Sequence, residues 1–75
     1  MSGKFNGKNL KAIREAKHIT QEALAELADL TDRYLRELER GSRDNPSAAL
    51  LFRVSHVLEV QMEELMEIIA DEETL

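Results

Sequence analysis

The chain has 75 residues, the length of one small domain that would be only marginally stable as a monomer. It contains no cysteine, which excludes disulfides and cysteine-ligated zinc, and its two histidines lack the spacing of metal ligands. The formal net charge is −5, but it is unevenly distributed: residues 1–53 hold all 10 bases and a net charge of +2, while residues 54–75 hold seven acids and no base. The net negative charge argues against strong nonspecific binding to nucleic acid, whereas the basic part of the chain could still form a localised site.

The first residues do not have the pattern of a signal peptide. Residues 1–7 are mostly small and polar, which predicts a flexible N-terminus and no signal peptide. No apolar run approaches the roughly 18 residues of a transmembrane helix. Since the lack of cysteine also suits an intracellular protein, we expect a soluble, cytoplasmic protein that does not bind a membrane.

The first two helices are indicated by spacing and by a cap. Leu10 and Ile13 lie three residues apart among charged neighbours, which predicts an amphipathic first helix. Thr20 is a residue type that caps helices by accepting a backbone N–H, and Glu22 favours the positive end that follows. The sequence "QEALAELA" then has high helix propensity, so we expect a second helix there.

A third helix is predicted over residues 32–40. Thr31 precedes it as a cap, and Gly41 follows it as the left-handed residue that commonly ends a helix. Residues 42–47 are predicted to form a loop, because the residue before Pro46 disfavours helix.

Two further helices are predicted, and no strand. Ser47 caps a fourth helix with a broad apolar stripe, and a fifth runs from Met62 to about Ala70. The fifth helix has more apolar surface than the end of so small a monomer needs. Its apolar residues either close the core or form a two-fold dimer contact. They are Met62, Leu65, Met66, Ile68 and Ile69.

The second and third helices form the most specific pattern, a helix-turn-helix over residues 20–41. Ala25 is small enough for two helices to cross steeply, and Leu30 can insert between them. A third helix held in this way can lie in a DNA major groove. Its outward face would carry Asp32, Arg33, Arg36, Glu37 and Arg40.

The stretch "LKAIREAKHITQEALAELADLTDRYLRELERGSRDNPSAALLFRVSHVLEV" resembles the phage-repressor/Cro-like (XRE-type) helix-turn-helix family. Within it, "RYLRELERG" is similar to the restriction-modification controller branch. The resemblance implies an all-α, compact, five-helix lambda-repressor-like domain over residues 8–70, followed by an acidic tail over 71–75. It also implies a homodimer that binds pseudo-palindromic double-stranded DNA as a transcriptional regulator.

The resemblance implies DNA-contacting roles for Gln21, Thr31, Asp32, Arg33, Arg36, Glu37, Arg40, Arg43 and Asn45. Gln21 matches a glutamine that contacts phosphate. Arg33 could bridge N7 and O6 of a guanine, and Glu37 or Asp32 could accept from a cytosine amino group. Arg40, Arg43 and Asn45 fall where the family touches the DNA backbone, which orients the protein without specifying sequence.

The family pattern also implies a partly buried salt bridge between Arg14 and Glu39, with a structural role. Three residues depart from the pattern. Asp29 and His18 stand where glycine is common; aspartate tolerates a left-handed backbone, and we interpret His18 as ending a helix. Asp44 is an extra residue in the loop, and its charge weakens a phosphate contact there.

Charge alone leaves a second interpretation open. Asp32–Arg36 and Arg33–Glu37 are each four residues apart, so both could be ordinary surface ion pairs. In that case the domain would be a protein-interaction module, antitoxin-like or anti-repressor-like. Arginines directed outward would favour DNA instead. The N-terminal lysines are either a solvated face or additional phosphate contacts; they are Lys4, Lys8, Lys11 and Lys17.

Enzymatic activity has no support in the sequence. No serine has a plausible partner base, and there is no glycine-rich phosphate loop. We expect no cofactor, no metal and no small-molecule ligand.

Overall fold

A computed structural model describes the backbone of residues 2–69 and the side chains of residues 3–67. Its elements in chain order are β1 (Ser2–Phe5), α1 (Gly7–Ala16), α2 (Gln21–Leu27), α3 (Asp32–Arg40), α4 (Ala48–Leu58), a 3-10 turn (Met62–Leu65) and β2 (Met66–Ile69). None of the described helices is long and apolar enough to cross a membrane.

The four α-helices begin where polar side chains cap them. Thr20 accepts from the N–H of Ala23 at 3.1 Å, and Thr31 accepts from the N–H of Tyr34 at 3.0 Å. The Ser47 hydroxyl accepts from the Leu50 N–H at 3.1 Å. Each bond satisfies a helix N–H that has no partner within its own helix. The predicted caps of α2, α3 and α4 are therefore confirmed.

The prediction of a fifth helix from Met62 to about residue 70 is wrong. A single 3-10 turn covers Met62–Leu65, and the chain then extends into β2, which pairs antiparallel with β1. Phe5 lies opposite Met66 in this pairing, so the backbone groups of β2 bond to the other end of the chain. Residue 70 and the predicted acidic tail over 71–75 lie outside the described residues.

The N-terminal segment also differs from expectation. The predicted flexible start contains β1, and Phe5 at its end is buried in the core. Asn6 follows as the cap of α1, where its side chain accepts from the N–H groups of Lys8 and Asn9. Within residues 2–69 the domain therefore consists of four α-helices with a short strand pair, and the expectation of an all-α fold is corrected.

The core lies between the helices and is built mainly of leucines. Six of them have no exposed surface: Leu10, Leu24, Leu35, Leu38, Leu58 and Leu65. Burying a leucine side chain stabilises a fold by about 1.5–3 kcal/mol. Leu65 was a candidate for the dimer surface, but it closes the core because the 3-10 turn directs it inward, where no second subunit can reach it.

Among the described residues, three other than glycine adopt the left-handed backbone. His18, Asp29 and Glu59 have φ of 59°, 60° and 57°, and Gly41 has φ of 90°. The expectations that His18 ends a helix and that Asp29 takes a left-handed turn are thus confirmed. A side chain in this conformation costs about 1–2 kcal/mol, which glycine avoids.

We therefore expect Glu59→Gly to raise the free energy of unfolding by about 0.5–1 kcal/mol, because relief of backbone strain exceeds glycine's greater loss of entropy on folding. Chemical denaturation measures this difference. The matched control is Gly41→Ala: the new Cβ would meet nothing within 4 Å, so its cost isolates the backbone term. A destabilised Glu59→Gly variant would contradict the prediction.

Candidate nucleic-acid interface

The outward face of α3 is rich in arginine. Most of these arginines form no ion pair with an acid among the described residues, although acids lie beside them in the sequence. Arg33, Arg36 and Arg40 are exposed on α3, and Arg43 is exposed in the loop that follows. Between described residues, neither of the two four-residue-spaced ion pairs of α3 is present. Instead, Glu37 forms an ion pair with Arg43, with 3.3 Å between Glu37 Oε1 and Arg43 Nε.

The pair of Glu37 and Arg43 fixes the loop at the end of α3. The Arg43 guanidinium lies over the Tyr34 ring, 5.2 Å from its centroid, and the Ser42 hydroxyl donates to the Glu37 carbonyl oxygen at 3.3 Å. The Glu37 side chain is 20% exposed and that of Arg43 is 56% exposed. Arg43 is therefore held against α3 while much of its side chain remains open to solvent.

The other predicted contact residues of α3 and its loop differ in their exposure. Thr31 is exposed, although its hydroxyl oxygen accepts the cap bond, and a hydroxyl can still donate its hydrogen. Asp32 is half-buried, and Asn45 is exposed in the loop, beside the buried Pro46. The predicted extra acid, Asp44, is exposed next to them. Thr31 and Asn45 are therefore accessible to a ligand, and Asp32 is accessible only in part.

Arg14 and Glu39 lie together and form a buried ion pair between α1 and α3. Arg14 Nε and Nη2 donate to Glu39 Oε2 and Oε1 at 2.6 and 3.0 Å, and Arg14 Nη1 donates to the carbonyl oxygen of Ile19 at 2.8 Å. Their side chains are only 9% and 3% exposed. The hydrogen bonds to Glu39 raise the pKa of Arg14 above its ordinary value, although burial opposes this. Arg14 is therefore charged at any physiological pH.

Gln21 joins this pair to α2. Its side-chain Nε2 donates to Glu39 Oε1 at 2.9 Å, so one carboxylate ties together residues from three helices. Sequence reasoning assigned Gln21 only to phosphate and missed this bond. The signal for it was indirect, since a buried carboxylate has four acceptor positions and Arg14 fills two of them.

The predicted dimer residues are only partly accessible. Met62 and Met66 are half-buried, while the side chains of Ile68 and Ile69 lie outside the described residues. A more exposed apolar residue, Phe52 on α4, was missed; it is 60% exposed. Together with Val60 and Met62 it lines a shallow groove of about 230 Å³. The outward position of Phe52 could not be inferred from the sequence, because α4 has apolar residues on most of its sides.

Comparison with known proteins gives a consistent family. A family model described as helix-turn-helix matches residues 10–65 of the chain. The immunity repressor protein of Bacillus phage phi105 is 42% identical over 69 residues, which cover 92% of this chain and 44% of the repressor. The chain thus spans less than half the length of that relative.

Two solved structures share the fold. The restriction-modification controller protein C.AhdI from Aeromonas hydrophila superposes with a TM-score of 0.74 at 36% identity, covering 79% of this chain and 88% of that one. SinR, the master regulator for biofilm formation, in complex with DNA superposes with a TM-score of 0.76 at 37% identity, covering 79% and 94%.

Proposed function

This chain belongs to the phage-repressor-like (XRE-type) helix-turn-helix family, and from that premise we propose that it is a transcriptional regulator that binds double-stranded DNA in a sequence-specific manner. The observation that carries the proposal is the outward face of α3, where Arg33 and Arg36 form no ion pair with any described residue. An arginine fork of this kind can bind the N7 and O6 of a guanine in the major groove.

The charges favour DNA over a protein-interaction module. That alternative needs the arginines of α3 and its following loop to be neutralised by neighbouring acids, and among the described ion pairs this holds only for Arg43 of the loop. Similar proteins include one named as an immunity repressor and one solved in complex with DNA. The acids that remain near the arginines would lower nonspecific affinity and make binding depend on matched bases.

Selection from a random duplex library at low salt tests the proposal. We expect enrichment of a two-fold-symmetric site whose half-sites lie about 10 base pairs apart, one helical turn. Failure to enrich any sequence, combined with no retention on DNA at low salt, would overturn the proposal and favour a protein partner.

Arg33→Ala is expected to relax the preference at one base position of each half-site and to cost about 1–3 kcal/mol of specific binding, since it removes a base contact. Arg43→Ala should instead weaken binding to all sequences alike, because its proposed contact is to phosphate. Repeating the selection with both variants measures the difference. An unchanged base preference for Arg33→Ala would show that another residue reads that position.

We further propose that the protein acts as a homodimer on a pseudo-palindromic operator. A two-fold contact places the same patch of both subunits together, and an exposed Phe52 beside Met62 is an apolar patch suited to it. With Leu65 buried, this groove takes the place of the apolar face predicted for a fifth helix.

We expect Phe52→Lys to shift the protein from dimer to monomer and to weaken operator binding. Sedimentation equilibrium measures the mass against the 8.6 kDa of one chain. Leu27→Lys is the matched control, because Leu27 is 66% exposed and does not line the groove of Phe52. Equal dissociation of both variants, or of neither, would contradict the assignment of this surface.

A further inference from the structure

Arg43 is held on two sides by side chains of α3. Its Nε donates to Glu37 Oε1 at 3.3 Å, and its guanidinium carbon lies 5.2 Å from the centroid of the Tyr34 ring. Glu37 and Tyr34 are three residues apart on α3, a spacing that makes two side chains neighbours on a helix. One edge and one face of the guanidinium are therefore occupied by the protein itself.

The backbone of the loop supports this arrangement. The N–H groups of Ser42 and Arg43 donate to the carbonyl oxygen of Glu37 at 3.0 and 3.2 Å. Tyr34 is fixed as well, because it packs half-buried against the core and its N–H donates to the capping hydroxyl of Thr31. The loop and α3 thus place Arg43 beside the carboxylate in the protein without a ligand.

The other arginines of this surface are held less firmly by the described residues. Arg40 Nη2 lies 3.5 Å from the Ser42 hydroxyl, and neither Arg33 nor Arg36 forms an ion pair or side-chain hydrogen bond with a described residue. A long side chain that is free in solvent loses rotamer freedom when it binds a ligand, and this loss weakens binding. Arg43 has lost part of that freedom already.

The contact with Glu37 leaves most donors of Arg43 available. A guanidinium has five N–H donors, and this contact uses only that of Nε. The hydrogens of both Nη atoms remain, and the Arg43 side chain is 56% exposed. Parallel donors of this kind match the oxygens of a phosphate.

Glu37 itself is poorly placed for a base contact. Its side chain is only 20% exposed, and its Oε1 is already bonded to Arg43. A carboxylate that accepts from a cytosine amino group has to reach the edge of the base in the major groove. The geometry therefore favours a role for Glu37 within the protein.

We infer that Glu37 is a positioning residue for Arg43, assisted by Tyr34, and that Glu37 does not read a base. This inference rests on the proposed function and changes one role within it. The resemblance to the family implies a cytosine contact for Glu37 and no role for Tyr34. Orienting Arg43 in advance removes part of the entropy that its ordering costs when DNA binds.

A double-mutant cycle on DNA affinity tests this role. The loss caused by Arg43→Gln is measured in the wild type and in the Glu37→Gln background, with the duplex enriched by selection and with melting curves to verify folding. The salt concentration is about 150 mM, at which exposed charges more than about 8 Å apart are screened. We expect Arg43→Gln to cost about 3- to 10-fold more affinity in the wild type than in Glu37→Gln, the factor for ordering one long side chain.

Asp44→Asn is the matched control background. Asp44 is an exposed acid next to Arg43 in the sequence, and it forms no ion pair with a described residue. Arg43→Gln should therefore cost as much in Asp44→Asn as in the wild type. An equal cost in all three backgrounds would overturn the inference. A reduced cost in both acid variants would overturn it as well, because it would show a general effect of negative charge.

NMR of the free protein supplies a readout that a merely structural role would not change. The Tyr34 ring should shift the δ-proton resonances of Arg43 upfield. This shift should disappear in Tyr34→Leu, shrink in Glu37→Gln and persist in Asp44→Asn. An unchanged shift in Glu37→Gln would show that the carboxylate does not position Arg43.

Selection from the random duplex library with Glu37→Gln distinguishes positioning from base reading. The variant should return the base preference of the wild type, whereas loss of a preference for cytosine would overturn the inference. Each of these contrary results leaves the proposed function in place. If the wild type itself bound no duplex, the proposed function would fail, and the role of Glu37 in DNA binding with it.

Discussion

Gly7→Ala is expected to destabilise the domain by about 3 kcal/mol or more, because the first residue of α1 passes directly against the backbone of α3. A Cβ atom on Gly7 would overlap the carbonyl oxygen of Leu38 and lie 3.0 Å from its carbonyl carbon. It would also lie 3.3 Å from the Cα of Glu39. These are backbone atoms of a helix in the core, which cannot move aside as a flexible side chain can.

Thermal unfolding measures this effect. For a domain of this size, 1 kcal/mol corresponds to about 4–8 °C, so we expect the Tm to fall by at least roughly 12 °C. Gly3→Ala is the matched control: its Cβ would lie 3.6 Å from the terminal methyl of Met66, an ordinary contact with a flexible side chain. If both variants melted within a few degrees of the wild type, α1 would not approach α3 as closely as the structure shows.

The helices that sequence reasoning located correctly are those whose signals are local. Thr20, Thr31 and Ser47 each cap the helix that directly follows, so a few neighbouring residues determine where it begins. The signal for the end of α3 is equally local, because Gly41 takes the left-handed conformation there.

The predictions for residues 2–5 and 62–69 were wrong because the structure of these segments depends on residues far away in the sequence. β1 and β2 pair across more than 60 residues of sequence, with Gly3 opposite Ile68. The apolar residues of 62–69 have a spacing that also suits a helix, and only the bonds to β1 decide for strand. A flexible N-terminus was expected from its small, polar residues, because a four-residue strand whose partner lies at the far end of the sequence leaves no local signal.

The features of the candidate site also divide into those that follow from local sequence and those that do not. The outward position of the α3 arginines follows from helical spacing and was predictable. Pairing Arg14 with Glu39 came from the family resemblance, since nothing in the spacing of residues 25 apart indicates contact. The bonds of Glu37 to Arg43 and of Gln21 to Glu39 depend on rotamers and on the path of the loop, so neither was foreseen.

Arg14→Met is expected to lower the free energy of unfolding by about 3–5 kcal/mol, because it leaves the carboxylate of Glu39 buried without a counter-charge. The double variant Arg14→Met/Glu39→Met should regain most of this loss. Apolar residues of similar volume can replace a buried ion pair at little cost. A deficit of about 1–2 kcal/mol should remain, since the carbonyl oxygen of Ile19 loses its donor. Chemical denaturation of the two variants measures both quantities.

DNA binding by the double variant then separates the two roles of the pair. With Glu39 absent, Gln21, which is predicted to contact phosphate, loses the acceptor that orients its amide. Affinity should fall by a similar factor for every duplex, whereas Arg33→Ala changes the preference at one base position. If the folded double variant bound DNA as tightly as the wild type, the ion pair would contribute to stability alone. If it stayed as unstable as Arg14→Met, the cost of that substitution would not come from a stranded charge.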